Sequence, residues 1–548
     1  MRGALDRARG PFVLLIAPAL VLCAVYWGEV AANLGDFART TYTNADAAAG
    51  PVISGTLHGF GHDHATLGNL AWFTSLWFGL AIRGLSFHRE LWIVVPYAVV
   101  LATAGLVCWG VFRVAGRHAA LVATVPMLCL SPVALYWSSN LVSHSPTWLA
   151  MAMLGVYATT LVPGQPAAPR ARRGVLVAAL VALVAGTNAA SDYLLFACGV
   201  VPLGLAGVAV WLSSPAAASR LAAARAIAVS LGAAAIAAAT TVIMHGLHVH
   251  SGNKTGGPSI LNPSKVEGNL KVLWRIFLGL GDVKATRPGF QPAAALRVLC
   301  LIAAIAAVAA AVAVVLRTVV AIRTPDRYPP GRLPWVVFWT SGTLLLLAAY
   351  LVNGYATLEP QFEALRYFVG AVYCGAALAP LALTRARVPL YGAAAAGVTA
   401  IALASTIVIA KVGISQACCA ELETGAPSPT LANRVSAIAG REGMKRGYAG
   451  YWYALGLSWF AKDRFRAYPV DRCGEHLKRL CPSFYNHLSS WYEPNRARRS
   501  FFLSSGDRLP RSAKSFGRPV RTYRFSGLRS DLKLYVYDYD IATRIGPR

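Results

Sequence analysis

The chain has 548 residues, of which 56% are hydrophobic and 14% charged, and its formal net charge is +28. Soluble domains carry about 25% charged residues, and here the apolar residues fall in long blocks, which excludes an ordinary soluble globular fold. A basic excess points to nucleic acid when a supporting motif accompanies it; no zinc-finger or RNA-binding signature is present, and no nucleic-acid partner is expected.

The N-terminal ten residues carry Arg2, Arg7 and Arg9, and an apolar run follows from Pro11 to about Ala32. No small-x-small cleavage site follows promptly, so the run reads as an uncleaved first helix rather than a signal peptide. Leu22 is too large for the position before Cys23 in a lipoprotein box. Ten further spans are expected at Leu91–Val111, Ala119–Trp137, Pro146–Val162, Gly174–Gly186, Tyr193–Trp211, Ile227–Met244, Pro292–Leu316, Trp335–Val352, Tyr367–Leu383 and Leu390–Ala410. A bilayer core of about 30 Å takes roughly 20 apolar residues in a helix. The charge-free run from Val298 to Leu316, bounded by Arg297 and Arg317, is one such block. The fold class is therefore a polytopic α-helical membrane protein with about eleven transmembrane helices.

Charge sets the orientation. Alternate loops carry Arg113 and Arg117; Arg170, Arg172 and Arg173; Arg220 and Arg225; Arg317, Arg323, Arg327 and Arg332; and Arg385 and Arg387. All fall on the side of the N-terminus, which the positive-inside rule makes the cytoplasm. The opposite face receives Leu34–Glu90, the turn Thr187–Asp192, the loop His245–Gln291 and the tail from about Val412. The expected domains are a transmembrane body over 1–411 and a small α/β extracytoplasmic domain over 412–548. In the tail, Leu532-Lys533-Leu534-Tyr535-Val536-Tyr537 alternates like a strand, and Tyr448–Phe460 is rich in Tyr and Trp.

Six of the ten cysteines (Cys23, Cys108, Cys129, Cys198, Cys300, Cys374) lie in apolar blocks, as small hydrophobes do. Cys418, Cys419, Cys473 and Cys481 follow the last block, where an external location permits disulfides. Their spacing is not a usual zinc pattern, and their pairing is not legible in the sequence.

Ionisable residues beside a helical bundle are candidates for function. In the first external segment Asp46 could act as general base toward a hydroxyl nucleophile, or cap a short helix beginning at Ala47. His58, His62, Asp63 and His64 there, and His245, His248 and His250 in the later loop, have the ligand chemistry of a divalent-metal site. The alternative is a set of solvated loop residues. Lys254, Lys265, Lys271, Arg275, Lys284, Arg287 and Arg366 are external cations suited to a lipid phosphate or pyrophosphate. Arg366 opens a span with Tyr367, an arrangement that also suits an interfacial anchor. No Walker A loop, Rossmann glycine pattern or nucleophile elbow occurs in a fitting context.

These features together resemble the bacterial GT-C glycosyltransferases, integral membrane enzymes that use polyprenyl-phosphate-linked sugars, and within them a branch with a C-terminal extracytoplasmic domain. The resemblance rests on the topology and on short motifs in order: Asn44-Ala45-Asp46-Ala47, Ser143-His144-Ser145-Pro146, Ser191-Asp192, Arg366-Tyr367, and in the tail Gly447–Ala454, Ser490-Trp491-Tyr492 and Val536-Tyr537-Asp538. Gly450 stands where the branch often has an acidic residue, and the first loop departs in its histidines. The resemblance implies Asp46 as catalytic base and Arg366 on the lipid phosphate. With it go His144, Asp192 and Tyr367 as substrate-binding residues, to which the external cations Lys254 and Arg287 are added on their charge. It implies an inverting transfer from a polyprenyl-phosphate sugar to a cell-envelope glycan or lipid acceptor, outside a bacterial cytoplasmic membrane. The basic tail would hold an acidic acceptor. The cofactor expectation is a divalent metal at His58, His62, Asp63 and His64, or none. A transporter or flippase of a lipid-linked saccharide is the alternative; such proteins show paired halves and broken helices near the midplane, and no internal repeat is found here. A third reading is a non-catalytic envelope assembly factor with an enzyme-like fold.

Overall fold

The computed structural model describes all residues except 1, 44, 57–63, 68–90, 141–143, 162–170, 214–216, 252–262, 281–293, 322–330, 353–364, 386–387, 419–426, 474–478, 484–485, 496–498, 506–509, 526–530 and 547–548. Nine helices among the described residues are long and apolar enough to cross a bilayer. They are Leu14–Ala32, Leu91–Ala115, Gly174–Ser191, Phe196–Ser213, Ala217–Gly246, Ile302–Val320, Arg332–Leu351, Arg366–Thr384 and Leu390–Lys411. Many large apolar side chains on them face outward, among them Leu14, Leu212, Val242 and Val320. Apolar surface of that extent needs lipid or protein to cover it.

Two of the eleven expected spans are shorter than a full crossing. Ala119–Trp137 is divided into Arg117–Leu128 and Pro132–Ser139. The residue before a proline avoids the helical region, and Ser131 caps the new helix by accepting from the Ala134 amide at 3.2 Å. The span expected at Pro146–Val162 is the helix Ser145–Ala158, 14 residues long. That is about 21 Å at 1.5 Å per residue, less than the hydrocarbon thickness of about 30 Å. Twelve of its residues are buried, on every side, so its apolarity serves protein contact rather than lipid contact.

The chain forms two compact units. The first comprises Met1–Leu34, Val94–Thr240 and Pro258–Cys418; the second comprises Gly35–Ile93, Thr241–Gly257 and Cys419–Arg548. In the first, the helix Arg2–Ala32 packs along Val388–Cys418, its far partner in sequence. Polar side chains tie the helices through carbonyls left open at helix ends. Tyr26 donates to the Leu130 carbonyl at 2.6 Å, Trp27 to Leu128 at 2.9 Å and Ser405 to Cys129 at 3.0 Å. Arg332, one of the loop arginines of the orientation argument, is buried and donates to Thr384 Oγ1 at 2.7 Å and to the Leu381 carbonyl at 3.0 Å. It closes the end of a 3-10 turn as well as carrying a charge.

The second unit contains two sheets. Strands β1 (Ala65–Leu67), β2 (Val249–Ser251) and β6 (His487–Leu488) form one, with β1 central, parallel to β2 and antiparallel to β6. The other has the order β5-β4-β3-β7-β9-β8, from β3 (Arg446–Gly450), β4 (Arg466–Cys473), β5 (Arg479–Pro482), β7 (Ser500–Ser505), β8 (Arg521–Phe525) and β9 (Leu532–Tyr537). Strand β3, the helix Tyr451–Ala461 and β4 make a βαβ unit with parallel strands. The tail is thus a mixed α/β domain, and its Tyr/Trp-rich stretch is a strand followed by a helix. All six residues of β9 are buried, where alternation suggests half. Leu532, Leu534 and Val536 enter the core with Leu431, Val435, Leu457 and Phe501, while the turn Arg511–Phe516 covers the other face, with Phe516 edge-on to Tyr537 at 6.0 Å. Cys473 and Cys481 form a disulfide across β4 and β5.

Candidate functional site

The first unit brings together four residues that the sequence singles out. His144 caps the buried helix Ser145–Ala158, and Asp192 directly follows the helix Ala171–Ser191. Both are 7% exposed, and His144 Nδ1 lies 2.5 Å from Asp192 Oδ2. The same carboxylate oxygen accepts from Thr147 Oγ1 at 2.5 Å, and Asp192 Oδ1 accepts from the Leu194 amide at 3.0 Å. Thr147 is also 3.2 Å from Asn188 Oδ1. Burial alone raises the Asp192 carboxyl, but the charge and hydrogen bond of His144, then the Thr147 hydroxyl and the Leu194 amide, outweigh it and hold the group below the usual carboxylate range. An ionised carboxylate is acceptor-only, so the proton on the shared bond belongs to His144 Nδ1.

Tyr367 stands beside this pair, its ring 5.2 Å from the His144 ring. Arg366 donates from Nη2 to the Tyr367 hydroxyl at 3.0 Å and its guanidinium lies 5.0 Å from the Tyr367 ring centroid. Trp148 closes the other side at 5.9 Å from His144, packed against Gly370, where a Cβ would come within 2.5 Å of the indole. Only glycine admits that approach. The chain resumes after Asp192 in a π-helical turn, Phe196–Val200, a local widening common at functional sites.

Thr147, Asn188 and Trp148 escape the motif reading of the sequence. The signal for them is helical spacing. Thr147 is three residues from His144 and Asn188 four from Asp192, the separations that put side chains on one helix face.

The second unit contains Asp46, the second residue of the helix Ala45–Thr56. That helix starts two residues earlier than a cap at position 46 requires. Its small residues Ala45, Ala47, Ala48 and Ala49 are buried, and it packs on Tyr451–Ala461. At its end Thr56 Oγ1 accepts from Trp491 Nε1 at 3.2 Å, and Trp491 stacks on Tyr468 at 5.1 Å. The Trp-Tyr motif of the tail therefore holds the helix that carries the candidate base. A second buried network lies in the same unit, where Asp540 accepts from Arg446 at 2.9 Å and from Tyr448 at 3.1 Å.

Of the expected metal ligands, His58, His62 and Asp63 lie outside the described residues, as do the candidate phosphate ligands Lys254, Lys284 and Arg287. His64 is described and is exposed, with its ring 4.4 Å from that of His248. Lys271 is exposed and paired with Glu267 at 2.6 Å. No group of three or more His, Cys, Asp or Glu side chains is assembled for a metal among the described residues.

No family model and no curated protein matches the chain. Solved structures similar to it include ArnT from Cupriavidus metallidurans bound to undecaprenyl phosphate, at 14% identity over 98% of this chain and 99% of that one, with a TM-score of 0.43. The oligosaccharyltransferase of Archaeoglobus fulgidus in complex with Zn and sulfate is similar at 12% identity over 82% of this chain, with a TM-score of 0.43. This chain spans 62% of the length of that protein. The AglB oligosaccharyltransferase of the same organism, with an inhibitory peptide and a dolichol-phosphate, is similar at 12% identity over 83% of this chain and 64% of that one, with a TM-score of 0.42.

Proposed function

We propose that this chain is a glycosyltransferase that moves a sugar from a polyprenyl-phosphate donor to a cell-envelope acceptor at the external face of a bacterial cytoplasmic membrane. The observation that carries the reading is the buried His144–Asp192 pair with Tyr367 and Arg366 beside it. Ionisable groups are expensive to hold among apolar helices and mark substrate paths. These four come from three separate segments, at helix ends rather than midway along the spans.

In the proposed reaction the acceptor hydroxyl oxygen attacks the anomeric carbon of the donor as the bond from that carbon to the phosphate oxygen breaks. Attack opposite the leaving group inverts the anomeric centre. Asp46 takes the hydroxyl proton, and the leaving group departs as polyprenyl phosphate. Arg366 offers its planar fork to the phosphate, where the charge develops; Lys254 and Arg287 are assigned to the same task. Asp192 fixes the His144 ring, so that His144 and Tyr367 can orient the sugar. Residues 412–548 are assigned as the extracytoplasmic domain, whose basic surface suits an acidic acceptor.

The test is transfer of radiolabelled sugar from a panel of polyprenyl-phosphate donors by the purified chain in lipid, with crude envelope glycan supplied as acceptor. Donor-dependent incorporation is expected. Movement of a lipid-linked sugar across liposomes without incorporation would replace this reading with a transporter.

A further inference from the structure

Residues 427–548 contain 23 Lys and Arg against 9 Asp and Glu. The positive-inside rule accounts for basic loops beside the spans, not for a basic domain beyond the last one. One part of that excess is held in a fixed arrangement. Arg434 and Arg441 lie seven positions apart on the helix Pro429–Arg441, two turns that return side chains to one face, about 10 Å apart along the axis. Each guanidinium rests on an aromatic ring of β8. Arg434 lies 5.1 Å from the Phe525 centroid and Arg441 5.9 Å from that of Tyr523. A guanidinium stacked on a ring keeps its N–H donors at its edge, where the ring does not compete for them.

Arg499 and Arg521 approach from the sheet. Their Nη1 atoms meet the two oxygens of Glu442, the residue directly after the helix, at 3.2 and 2.7 Å. The Glu442 side chain is 3% exposed, while those of Arg499 and Arg521 are 50% and 65% exposed. Glu442 thus anchors two guanidinium forks and leaves much of each at the surface. It also accepts from the Tyr523 hydroxyl at 2.5 Å, so the ring that carries Arg441 is tied to the same carboxylate. The other carboxylate at that end of the sheet is Asp538, one residue beyond β9, and four arginines leave the face positive.

We propose that this face, formed by Arg434, Arg441, Arg499 and Arg521, binds an acidic polysaccharide. Planar guanidinium forks take carboxylate and phosphate groups by two bonds at once, and arginine clusters are recurrent readers of anionic motifs. A row of cations on an open surface suits a polymer whose charges repeat. A bilayer is the other polyanion within reach of a membrane protein. Surfaces that settle among headgroups present apolar side chains beside their cations. Among the described residues of 427–548 the large exposed apolar side chains are Trp452 and Val520 alone, and neither is on the helix Pro429–Arg441. The inference deepens the proposed function, on whose reading the polysaccharide is the acceptor; the face itself lies within the second unit and does not need that reading.

The purified full chain, in nanodiscs of zwitterionic lipid, is titrated with fluorescent polygalacturonate, with neutral dextran as control. Wild type should bind polygalacturonate and not dextran, with an affinity that falls as salt rises. Arg434→Gln and Arg441→Gln, which leave Glu442 its partners, should each weaken binding about threefold and together about tenfold, with melting temperatures close to wild type. Arg511→Gln and Lys514→Gln, on the turn over the opposite face of the sheet, should leave binding as it is. Equal weakening by those two, or no weakening in the double variant, would overturn the assignment. So would loss of polygalacturonate binding when the nanodiscs carry phosphatidylglycerol, which would give the face to the bilayer. Wild type that binds polygalacturonate but transfers no sugar keeps the face and removes the transfer reading; sugar transfer without such binding does the reverse.

Discussion

His144 Nδ1 and Asp192 Oδ2 lie 2.5 Å apart although 48 positions separate the two residues, and both are buried. Each sits at the end of a helix, so the pair fixes two helix ends against one another. The partners of Asp192 account for both of its oxygens. A carboxylate so satisfied orients its imidazole and fixes which nitrogen carries the proton.

Removing one member of this buried, hydrogen-bonded pair leaves the other unsatisfied, at a cost of about 1–3 kcal/mol, and more where the carboxylate is the one left. Asp192→Ala and His144→Ala should each lower stability by that order, and the double variant by less than the sum, as measured by unfolding in detergent. Thr147→Val removes a hydrogen bond to a charged group and should cost about 1.5–3 kcal/mol. Additive single and double variants would deny the coupling.

The Trp491–Thr56 contact predicts that the tail rigidifies the Asp46 helix. Trp491→Phe loses the indole donor but keeps a ring over Tyr468, and should cost about 1 kcal/mol; Trp491→Ala should cost about 3–5 kcal/mol. Amides of Ala45–Thr56 should exchange with deuterium faster in Trp491→Ala than in wild type. Unchanged exchange in that helix would refute the link.

Glu442 supplies a pH dependence. It accepts from the Tyr523 hydroxyl at 2.5 Å, from Arg521 at 2.7 Å and from Arg499 at 3.2 Å. The Tyr523 bond first, then the two arginines, hold its carboxyl below the ordinary value, against the opposing effect of burial. A carboxyl depressed in the folded state contributes stability that is present above its unfolded value and is lost as pH falls through the folded one. Melting temperature should therefore drop in the acid range, and Glu442→Gln should flatten that drop while lowering stability at neutral pH. An equal acid dependence in both proteins would contradict the assignment.

Much of the helical body was legible because bilayer thickness imposes a block length that sequence displays directly. Arg366-Tyr367 was legible as the opening of a span, and the strand at Leu532–Tyr537 by its alternation of period two. The break at Ser131-Pro132 had its signal in the proline, but hydropathy averages over it. The short strands Val249–Ser251 and His487–Leu488 are below the length at which a period of two can be read, and the link from His64 to Ser489 spans 425 positions. Thr147 is an ordinary helix residue until Asp192 gives it a partner, and Asn188 until Thr147 does.

Asp46 as general base is tested by comparing sugar transfer from polyprenyl-phosphate donors by wild type and Asp46→Asn, both folded in lipid. Wild type should show donor-dependent transfer and the variant a loss of about 100-fold or more, as expected when a general base is removed. Transfer by Asp46→Asn at the wild-type rate would contradict it.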